Sequence, residues 1–453
     1  MNEKLIERKR VRRKVMKLEG TSLKKDFIKY IIPAVVAQWV FALYTMVDGM
    51  FVARGVSEVA LAAVNLSSPF VMGLFAVSLM FAVGTSTIVA MLFGEKKIDE
   101  AKEVFSQNIV VLIILSLVIT VLVLLNLESF CRFLGATENT LPFVKEYIGT
   151  IAPFAMFFIL SYSFEILIST DGYPALATII VTIGVVANCI LDYLLIIVFD
   201  MGVFGAAFAT GFSQFLVVVV YLFHFLGKKG TIKFCRFKFR PRVILREMRN
   251  GFPSGITELS AGIVTFVFNQ FILMYLTEDA LVSYSIIAYI NGIVVMSMTG
   301  IAQGAQPLVS YYYGKQEMDK CRKLLKYGIT AMFVAGTAAL LVSYAGADLL
   351  VRIFISADME SLIVESVRVF RIFIFAFLVS GYNIEMAGFF TAIEKPGAAV
   401  AISLGRGCIT LVISMLIVTT LFGGSGIWWG ALVSECLCLV VSIVLFKKMK
   451  VFQ

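Results

Sequence analysis

Two carboxylate side chains fall inside long apolar stretches of this sequence, and each has a polar partner one helical turn earlier. In NCILD, Asn188 precedes Asp192 by four residues, and in YTMVD, Tyr44 precedes Asp48 by the same interval. A spacing of four places both members of a pair on one face of a helix. An acid in the middle of a membrane helix costs about 2.5–3.5 kcal/mol on insertion scales. Buried acids arranged in this way favour a site that binds a proton or a cation.

The same four-residue spacing recurs in a third apolar stretch, where Thr210 precedes Gln214 in GAAFATGFSQF. Counted from the ends of their stretches, Asp48, Asp192 and Thr210 lie at one depth, about 9–10 Å below the same membrane boundary. We therefore expect the six polar groups to converge at one level. Two carboxylates in a secluded pocket repel each other, and uptake of H⁺ or Na⁺ would relieve that repulsion. The alternative, that neighbouring groups hold these side chains as structural elements, carries nearly equal weight at Thr210 and Gln214.

The elements that must position these residues are membrane helices. The chain has 453 residues, of which 60% are hydrophobic and 15% charged, and its mean hydropathy is +0.93; a soluble domain is about a quarter charged. The apolar stretches reach about 20 residues and are too long and too uniformly apolar for barrel strands. The predicted fold class is an all-α integral membrane protein with twelve transmembrane helices. The predicted spans 1 to 12 are roughly 27–54, 66–93, 107–127, 142–168, 175–198, 203–226, 251–276, 281–313, 327–350, 367–393, 397–421 and 427–446.

Lys and Arg concentrate in segments 4–17, 228–250 and 447–450, outside the predicted spans. With an even number of spans these segments share one side, which the positive-inside rule makes cytoplasmic. We expect a multi-pass membrane protein with both termini in the cytoplasm. The net charge of +9 is then mainly a topology signal. For residues 4–17, contact with anionic lipid is favoured over nucleic-acid binding.

Several classes of chemistry are disfavoured by the residues present. The seven cysteines show no metal or redox spacing, the single histidine cannot form an HExxH zinc motif, and no GxxxxGK[ST] phosphate loop occurs. We predict no catalytic residues and no cofactor. We also predict no metal, except for Na⁺ at Asp48 and Asp192 if Na⁺ rather than H⁺ is the cation that this site binds. His224 is expected at the membrane interface. Asp171 and Glu394, in short cytoplasmic turns, are weaker candidates for a functional role, and for both the alternative is a solvated turn charge.

The two halves of the chain match at a fixed offset. Pro33 aligns with Pro253 and Gly84 with Gly304 (253 − 33 = 304 − 84 = 220), and this offset holds without a gap across about a hundred residues. The repeat predicts two six-helix lobes related by a pseudo-two-fold axis along the membrane normal. Alternating-access transporters have this arrangement, with the substrate between the lobes, whereas a channel more often repeats through subunits. The predicted domains are a basic N-terminal segment 1–26, an N-lobe 27–226, a basic linker 227–250, a C-lobe 251–446 and a tail 447–453.

The C-lobe lacks the Asn-x-x-x-Asp pair, because Thr410 and Ser414 occupy those positions. Other ionisable residues fall within its spans, and Arg406 could pair with one of the acids. The sequence is compatible with three roles for these ionisable residues: a substrate site, a second cation-coupling site or an internal salt bridge. They are Glu258, Glu385, Glu435 and Arg406, and Glu165 of span 4 is a weaker candidate in the N-lobe.

Four stretches of the chain resemble the multidrug and toxic-compound extrusion (MATE) family, in its MepA-like bacterial branch. They are PAVVAQWVFALYTMVDGMFVARG, NCILD, GFPSGITELS and GIAQGAQPLVSYYYGKQEMDKC. The resemblance extends from about residue 25 to 445. It implies a two-lobed exporter that trades inward H⁺ or Na⁺ for outward organic cations. In the family's sodium-linked branch, an acid of span 7 lies about one turn deeper than Glu258. The residues that match the family's coupling cluster are Asp48, Asn188, Asp192 and Thr210, with Tyr44 beside them and Pro33 at the bend of span 1.

The resulting prediction is a cation-coupled antiporter, not an enzyme, that exports organic, often cationic, drugs and metabolites by alternating access. Its expected partners are small organic molecules and the lipid bilayer, without nucleic acid, and we expect a monomer. Pro33 deprives span 1 of one backbone donor and so creates a hinge. The alternatives are an exporter of a dedicated metabolite or a flippase of lipid-linked precursors. The flippase is disfavoured because the spans carry few Lys or Arg residues beyond Arg406.

Overall fold

The computed structural model describes residues 22–227, 229–355 and 359–449, and these residues form helices and short connections without a β-strand. Ten helical segments of this part of the chain are long and apolar enough to cross a membrane. The last of them, Pro396–Lys448, contains two crossings, and residues 360–392 supply the remaining one. The prediction of an all-α protein with twelve spans in two lobes is therefore confirmed. Most of the predicted N-terminal segment (residues 1–21) and the end of the tail (450–453) lie outside the described residues.

The first six spans form the N-lobe. Span 4 is interrupted where Pro153 removes a backbone donor, and span 5 begins with a proline in its first turn, where a missing donor costs nothing. The helices are Leu23–Gly55 (span 1), Glu58–Gly94 (span 2), Ile98–Leu125 (span 3), Leu141–Ile151 with a 3₁₀ turn Ala152–Phe154 and Ala155–Thr170 (span 4), Pro174–Asp192 with a π-helical continuation Tyr193–Val198 (span 5) and Gly202–Leu226 (span 6), with a short helix Leu127–Phe133 after span 3.

The last six spans form the C-lobe. Span 7 begins at Pro241, inside the predicted linker, again with a proline in the first turn. The helices are Pro241–Tyr275 (span 7), Glu278–Gly314 (span 8), Met318–Ala345 (span 9), Glu360–Phe373 with Ile374–Ala376 and Phe377–Ala392 (span 10), Pro396–Leu404 with a π-helical segment Gly405–Ile409 and Thr410–Phe422 (span 11) and Gly430–Lys448 (span 12), with a short helix Ala347–Arg352 and a 3₁₀ segment Gly423–Trp429.

Three helix pairs join the lobes: span 1 packs on span 8 (the first seam), span 2 packs on span 7 (the second seam), and span 2 also packs on span 8. In the second seam, a Cβ on Gly84 would overlap the Glu247 carbonyl, and one on Gly251 would overlap the Met80 carbonyl. In the first seam, a Cβ on Gly304 would lie 2.9 Å from the Ile31 Cα. Glycine allows this close approach of two backbones, as is usual between membrane helices.

The repeat generates both seams from the same contact. At the offset of 220, Gly84 corresponds to Gly304, and Ile31 corresponds to Gly251. These residues lie in the halves of their helices nearest the connection between spans 6 and 7. We call the membrane face that carries this connection the linker side. The lobes are therefore held together on the linker side.

The extended part of the connection packs on the N-lobe through Asp171. The Asp171 carboxylate accepts hydrogen bonds from the backbone of Thr231 (2.9 Å) and Ile232 (3.0 Å), and its Oδ2 lies 2.9 Å from His224 Nε2. Asp171 is buried because the turn folds beneath the connection, so the alternative of a solvated turn charge does not hold for it. Burial raises the pKa of Asp171, and the hydrogen bonds from His224 and the backbone oppose that shift. His224, in the last turn of span 6, is likewise buried within the protein.

Glu394 is the second turn acid that the structure places differently. Its carboxylate accepts hydrogen bonds from Arg246 Nε (2.6 Å) and Arg246 Nη2 (2.7 Å), and from Asn250 Nδ2 (2.6 Å). Glu394 therefore belongs to an ion pair in which its side chain is 20% exposed and that of Arg246 is 48% exposed. It ties the turn between spans 10 and 11 to the start of span 7.

A methyl group added at Gly84 tests whether the second seam depends on backbone contact. We expect Gly84→Ala to destabilise the protein by about 1–3 kcal/mol, the usual cost of overpacking, because the new Cβ would meet the Glu247 carbonyl. The measurement is thermal unfolding of the purified protein in detergent. Gly73→Ala in the same helix is the control, since a Cβ there meets nothing within 4 Å. Equal melting temperatures for the two variants would contradict this account of the seam.

Candidate functional site

Spans 1, 5 and 6 bring five of the predicted N-lobe residues together. Thr210 Oγ1 donates a hydrogen bond to Asp48 Oδ1 at 3.5 Å. The Asp192 carboxylate interacts electrostatically with that of Asp48, and the Tyr44 hydroxyl interacts with Asp48, Thr210 and Asp192. Asn188 lies one turn before Asp192 on the same helix face. We call Tyr44, Asp48, Asn188, Asp192 and Thr210 the N-lobe cluster.

The span 5 members of the cluster are buried without hydrogen-bond partners. Asp192 is 0% exposed and Asn188 1% exposed. Neither oxygen of Asp192 and neither amide atom of Asn188 has a partner among the described residues. Burying a polar group without a hydrogen-bond partner costs about 1–3 kcal/mol of folding stability. Each such group in a protein interior therefore calls for an explanation. The three unsatisfied oxygens, Asp192 Oδ1 and Oδ2 and Asn188 Oδ1, lie beside a second carboxylate and have the chemistry needed to bind a proton or a small cation.

The available ligand atoms are of one chemical kind. No group of three His, Cys, Asp or Glu side chains comes together within residues 22–227, 229–355 and 359–449, so the cluster does not have the ligand set of a transition-metal centre. The atoms with which the cluster could bind a cation are carboxylate, hydroxyl and amide oxygens. Oxygen ligands suit a hard cation, and Na⁺ belongs to that class.

A tyrosine of span 4 that the sequence did not single out also faces the cluster. Tyr147 is buried and interacts with both Asp48 and Asp192. It has no polar residue four positions away within an apolar stretch, which was the signal used for the other members. Its only signal is a hydroxyl-bearing residue within a predicted span.

Gln214, by contrast, pairs outside the cluster. Its Oε1 accepts a 2.7 Å hydrogen bond from Ser161 Oγ of span 4. This contact fits the structural alternative considered for Gln214. Thr210, one turn earlier, instead makes the contact to Asp48.

Two features link the cluster to places where the backbone departs from a regular α-helix. Span 5 widens into the π-helical segment Tyr193–Val198 directly after Asp192, and π-helical turns are frequent at functional sites. Pro33 lies inside span 1, and its carbonyl accepts a 2.8 Å hydrogen bond from Thr178 Oγ1 of span 5. Pro33 is thus bonded to the helix that carries Asp192.

In the C-lobe, Arg406 and Glu435 form an internal salt bridge. Arg406 Nε lies 2.6 Å from Glu435 Oε1, with the two side chains 18% and 11% exposed. Asn383 Nδ2 donates to the other carboxylate oxygen of Glu435 at 2.7 Å. Of the three possibilities that the sequence left open, the geometry of this pair is that of a salt bridge, with every carboxylate oxygen occupied.

Glu385 lies apart from that pair. It is buried, its carboxyl packs against Gly328 of span 9, and its Oε2 has no hydrogen-bond partner among the described residues. No single C-lobe site therefore contains Glu385 together with Arg406 and Glu435.

Glu258 belongs to a polar group between the lobes. It interacts with Tyr162 of span 4, which also interacts with Glu165. Gln38 of span 1 donates to Gln303 of span 8 at 3.1 Å, and both glutamines interact with Tyr162. A cleft formed by spans 1, 2, 4, 5 and 8 is lined by Gln38, Glu165 and Gln303. Oxygen atoms of both lobes therefore face a shared space.

The chain has relatives over almost its whole length. The MatE family model matches residues 33–194 and 253–417. The chain is 23% identical over 429 residues to multidrug export protein MepA of Staphylococcus saprophyticus, with 94% of each chain covered. It is similar to a solved multidrug resistance MATE family transporter of the MOP superfamily in an outward-facing conformation (TM-score 0.90, 21% identity, 97% of this chain and 98% of that chain). It is also similar to a MOP superfamily transporter from Pyrococcus furiosus described as having a binding pocket of reverse polarity (TM-score 0.89, 21% identity, 97% and 98%).

Removing Arg406 tests the C-lobe salt bridge. We expect Arg406→Met to destabilise the protein by about 3–5 kcal/mol, because it leaves Glu435 as a buried charge without its cation. The double variant Arg406→Met/Glu435→Gln should recover most of that loss, since Asn383 can still donate to the neutral glutamine. Unfolding of both variants in detergent measures the difference. A double variant no more stable than Arg406→Met would contradict the assignment.

Proposed function

Since this chain belongs to the MatE family of membrane transporters, we propose that it is a cation-coupled antiporter that exports organic, often cationic, drugs and metabolites by alternating access. The observation that carries the proposal is the N-lobe cluster, in which Asp48 and Asp192 come from different helices and interact while Asp192 is fully buried. Such a pair responds to the arrival of one positive charge, because either H⁺ or Na⁺ removes the repulsion between the carboxylates.

The coupling step in this proposal is a change of charge that moves a helix. A proton on one carboxylate oxygen, or Na⁺ between the two aspartates, neutralises the cluster and changes the balance of contacts between spans 1 and 5. Thr178 bonds the Pro33 carbonyl, so a shift of span 5 reaches the hinge of span 1 directly. Coupling further requires that cation and substrate prefer different conformations, with reciprocal effects on each other's affinity.

The direction of export follows from the distribution of basic residues. Residues 228–250 are rich in Lys and Arg, so we assign the linker side to the cytoplasm of a bacterial inner membrane. Because both seams close the linker side, the conformation seen here then faces outward. We propose that a monomer carries out the cycle, since each chain contains both lobes.

The proposed substrate class rests on the cleft between the lobes and on the relatives. Glu165 lines the cleft, and Glu258 interacts with Tyr162 beside it. These carboxylates favour a cationic guest over an anionic one, which also argues against the pyrophosphate of a lipid-linked precursor. MepA of Staphylococcus saprophyticus is named a multidrug export protein, and we extend that substrate class to this chain.

Neutralising the cluster tests the role of the two aspartates. We expect Asp48→Asn and Asp192→Asn each to reduce gradient-driven dye efflux from proteoliposomes to the level of protein-free vesicles, because neither amide can take up a proton or supply a carboxylate to Na⁺. Asp200→Asn is the matched control, since Asp200 is exposed between spans 5 and 6 and should keep wild-type efflux. Unaltered efflux in both cluster variants would reject the assignment.

Separate gradients identify the coupling ion. In proteoliposomes holding a fluorescent organic cation, we expect an imposed gradient of H⁺ or of Na⁺ to drive efflux, and the Asp192→Asn variant to lose that response. The measurement imposes one gradient at a time with the other ion equal on both sides. Efflux that ignores both gradients, together with polyprenyl lipid co-purifying with the protein, would favour the flippase instead.

A further inference from the structure

Glu247 is a buried acid that the proposed coupling site does not use. It lies in span 7 less than two turns after Pro241, about 9 Å from the linker-side end of that helix. Its exposed fraction is 0%, and neither carboxylate oxygen has a hydrogen-bond partner in the described part of the chain. Glu247 therefore sits close to water on the linker side, yet the second seam shields it.

The residues that shield Glu247 offer nothing to balance a negative charge. Gly84 of span 2 packs on its backbone, and the adjacent Thr85 is the side chain that interacts with its carboxyl, although Thr85 Oγ1 makes no hydrogen bond. No ionisable side chain of the described residues interacts with the Glu247 carboxyl. Arg246, its neighbour along the helix, pairs with Glu394 at 2.6 Å.

The internal repeat shows that packing alone does not require an acid at this position. At the offset of 220, Glu247 corresponds to Phe27 and Thr85 to Ala305 (247 − 27 = 305 − 85 = 220). Phe27 and Ala305 are both buried, at 6% and 2% exposed. At the corresponding positions the first seam has two buried apolar residues, whereas the second seam has a carboxyl and a hydroxyl.

We propose that Glu247 is a second proton-binding site, which holds a proton while the second seam is closed and releases it to the linker side when the seam opens. An ionised carboxylate without a partner is strongly disfavoured away from water, so the closed seam accepts only the neutral acid. Opening exposes Glu247 to solvent, where it ionises as an ordinary glutamate. The inference rests on the proposed alternation between two conformations, but not on which ion the N-lobe cluster binds.

In this proposal the equilibrium between the closed and the open second seam depends on pH, with a defined sign. The closed seam binds one more proton than the open seam, so low pH favours closure and rising pH favours opening. For one proton, the ratio of open to closed molecules can change by up to about tenfold per pH unit.

Hydrogen–deuterium exchange of the purified full-length protein measures seam opening without relying on transport. The readout is exchange in segments 80–88 and 244–252 at pH 6 and pH 8, corrected for the intrinsic rate at each pH. We expect opening of the wild-type seam to increase roughly tenfold or more between these values. Glu247→Gln should keep both segments protected at both pH values. Glu247→Met, which imitates the apolar Phe27, should do the same and guards against a folding defect of the glutamine variant.

A double variant, Asp48→Asn/Asp192→Asn, separates this inference from the proposed coupling function. If Glu247 controls the seam, the double variant keeps a pH-dependent opening that Glu247→Gln lacks, even if all gradient-driven efflux is lost. A response that persists in Glu247→Gln, or that the wild-type protein lacks, overturns the role of Glu247. A response lost only in the double variant also overturns it and leaves the N-lobe cluster as the sole proton site.

Discussion

A carboxylate inside a membrane protein must be paired, hydrogen-bonded or neutral, and the buried acids of this chain illustrate all three conditions. Glu435 is paired with Arg406 and bonded by Asn383. Asp171 is enclosed by two backbone amides and His224. Asp192 and Glu247 have no hydrogen-bond partner. The first two acids are held by partners within the fold, whereas the last two are the acids that we propose respond to a bound cation.

The duplicated fold is what allows these acids to differ in role. Glycine-mediated contact between backbones is made twice, once in each seam, and this common scaffold fixes where helices meet in both lobes. The chemistry is not duplicated. Where the N-lobe places Asn188 and Asp192 without partners, the C-lobe has Thr410, bonded to Ser434 at 3.0 Å, and Ser414, bonded to the Gly430 carbonyl at 2.9 Å. At these equivalent positions the C-lobe side chains are hydrogen-bonded, whereas those of the N-lobe are not.

The connection between the lobes is held by hydrogen bonds to the N-lobe along its length and by an ion pair to the C-lobe after Pro241. Asp171 bonds its backbone at Thr231 and Ile232, and Gln107 bonds Arg240 at both the amide and the carbonyl, each at 2.9 Å. The connection is thus held on the N-lobe as far as the start of span 7. Arg246 and Glu394 then tie span 7 to the C-lobe. The chain therefore passes from the contacts of one lobe to those of the other near Pro241.

The sequence by itself determined the spans, the repeat and the meeting of Asp48, Asp192 and Thr210. Hydropathy and a four-residue spacing are local properties, and depth along a membrane helix can be counted from its ends. Only the tertiary structure decided that Gln214 pairs with Ser161 and that Tyr147 faces the N-lobe cluster. It also decided that Arg406 pairs with Glu435, and that Asp171 and Glu247 are buried. Each of these depends on the rotation of one helix against another and on the path of a connection. Such contacts are set by packing between distant segments, and no local pattern contains them.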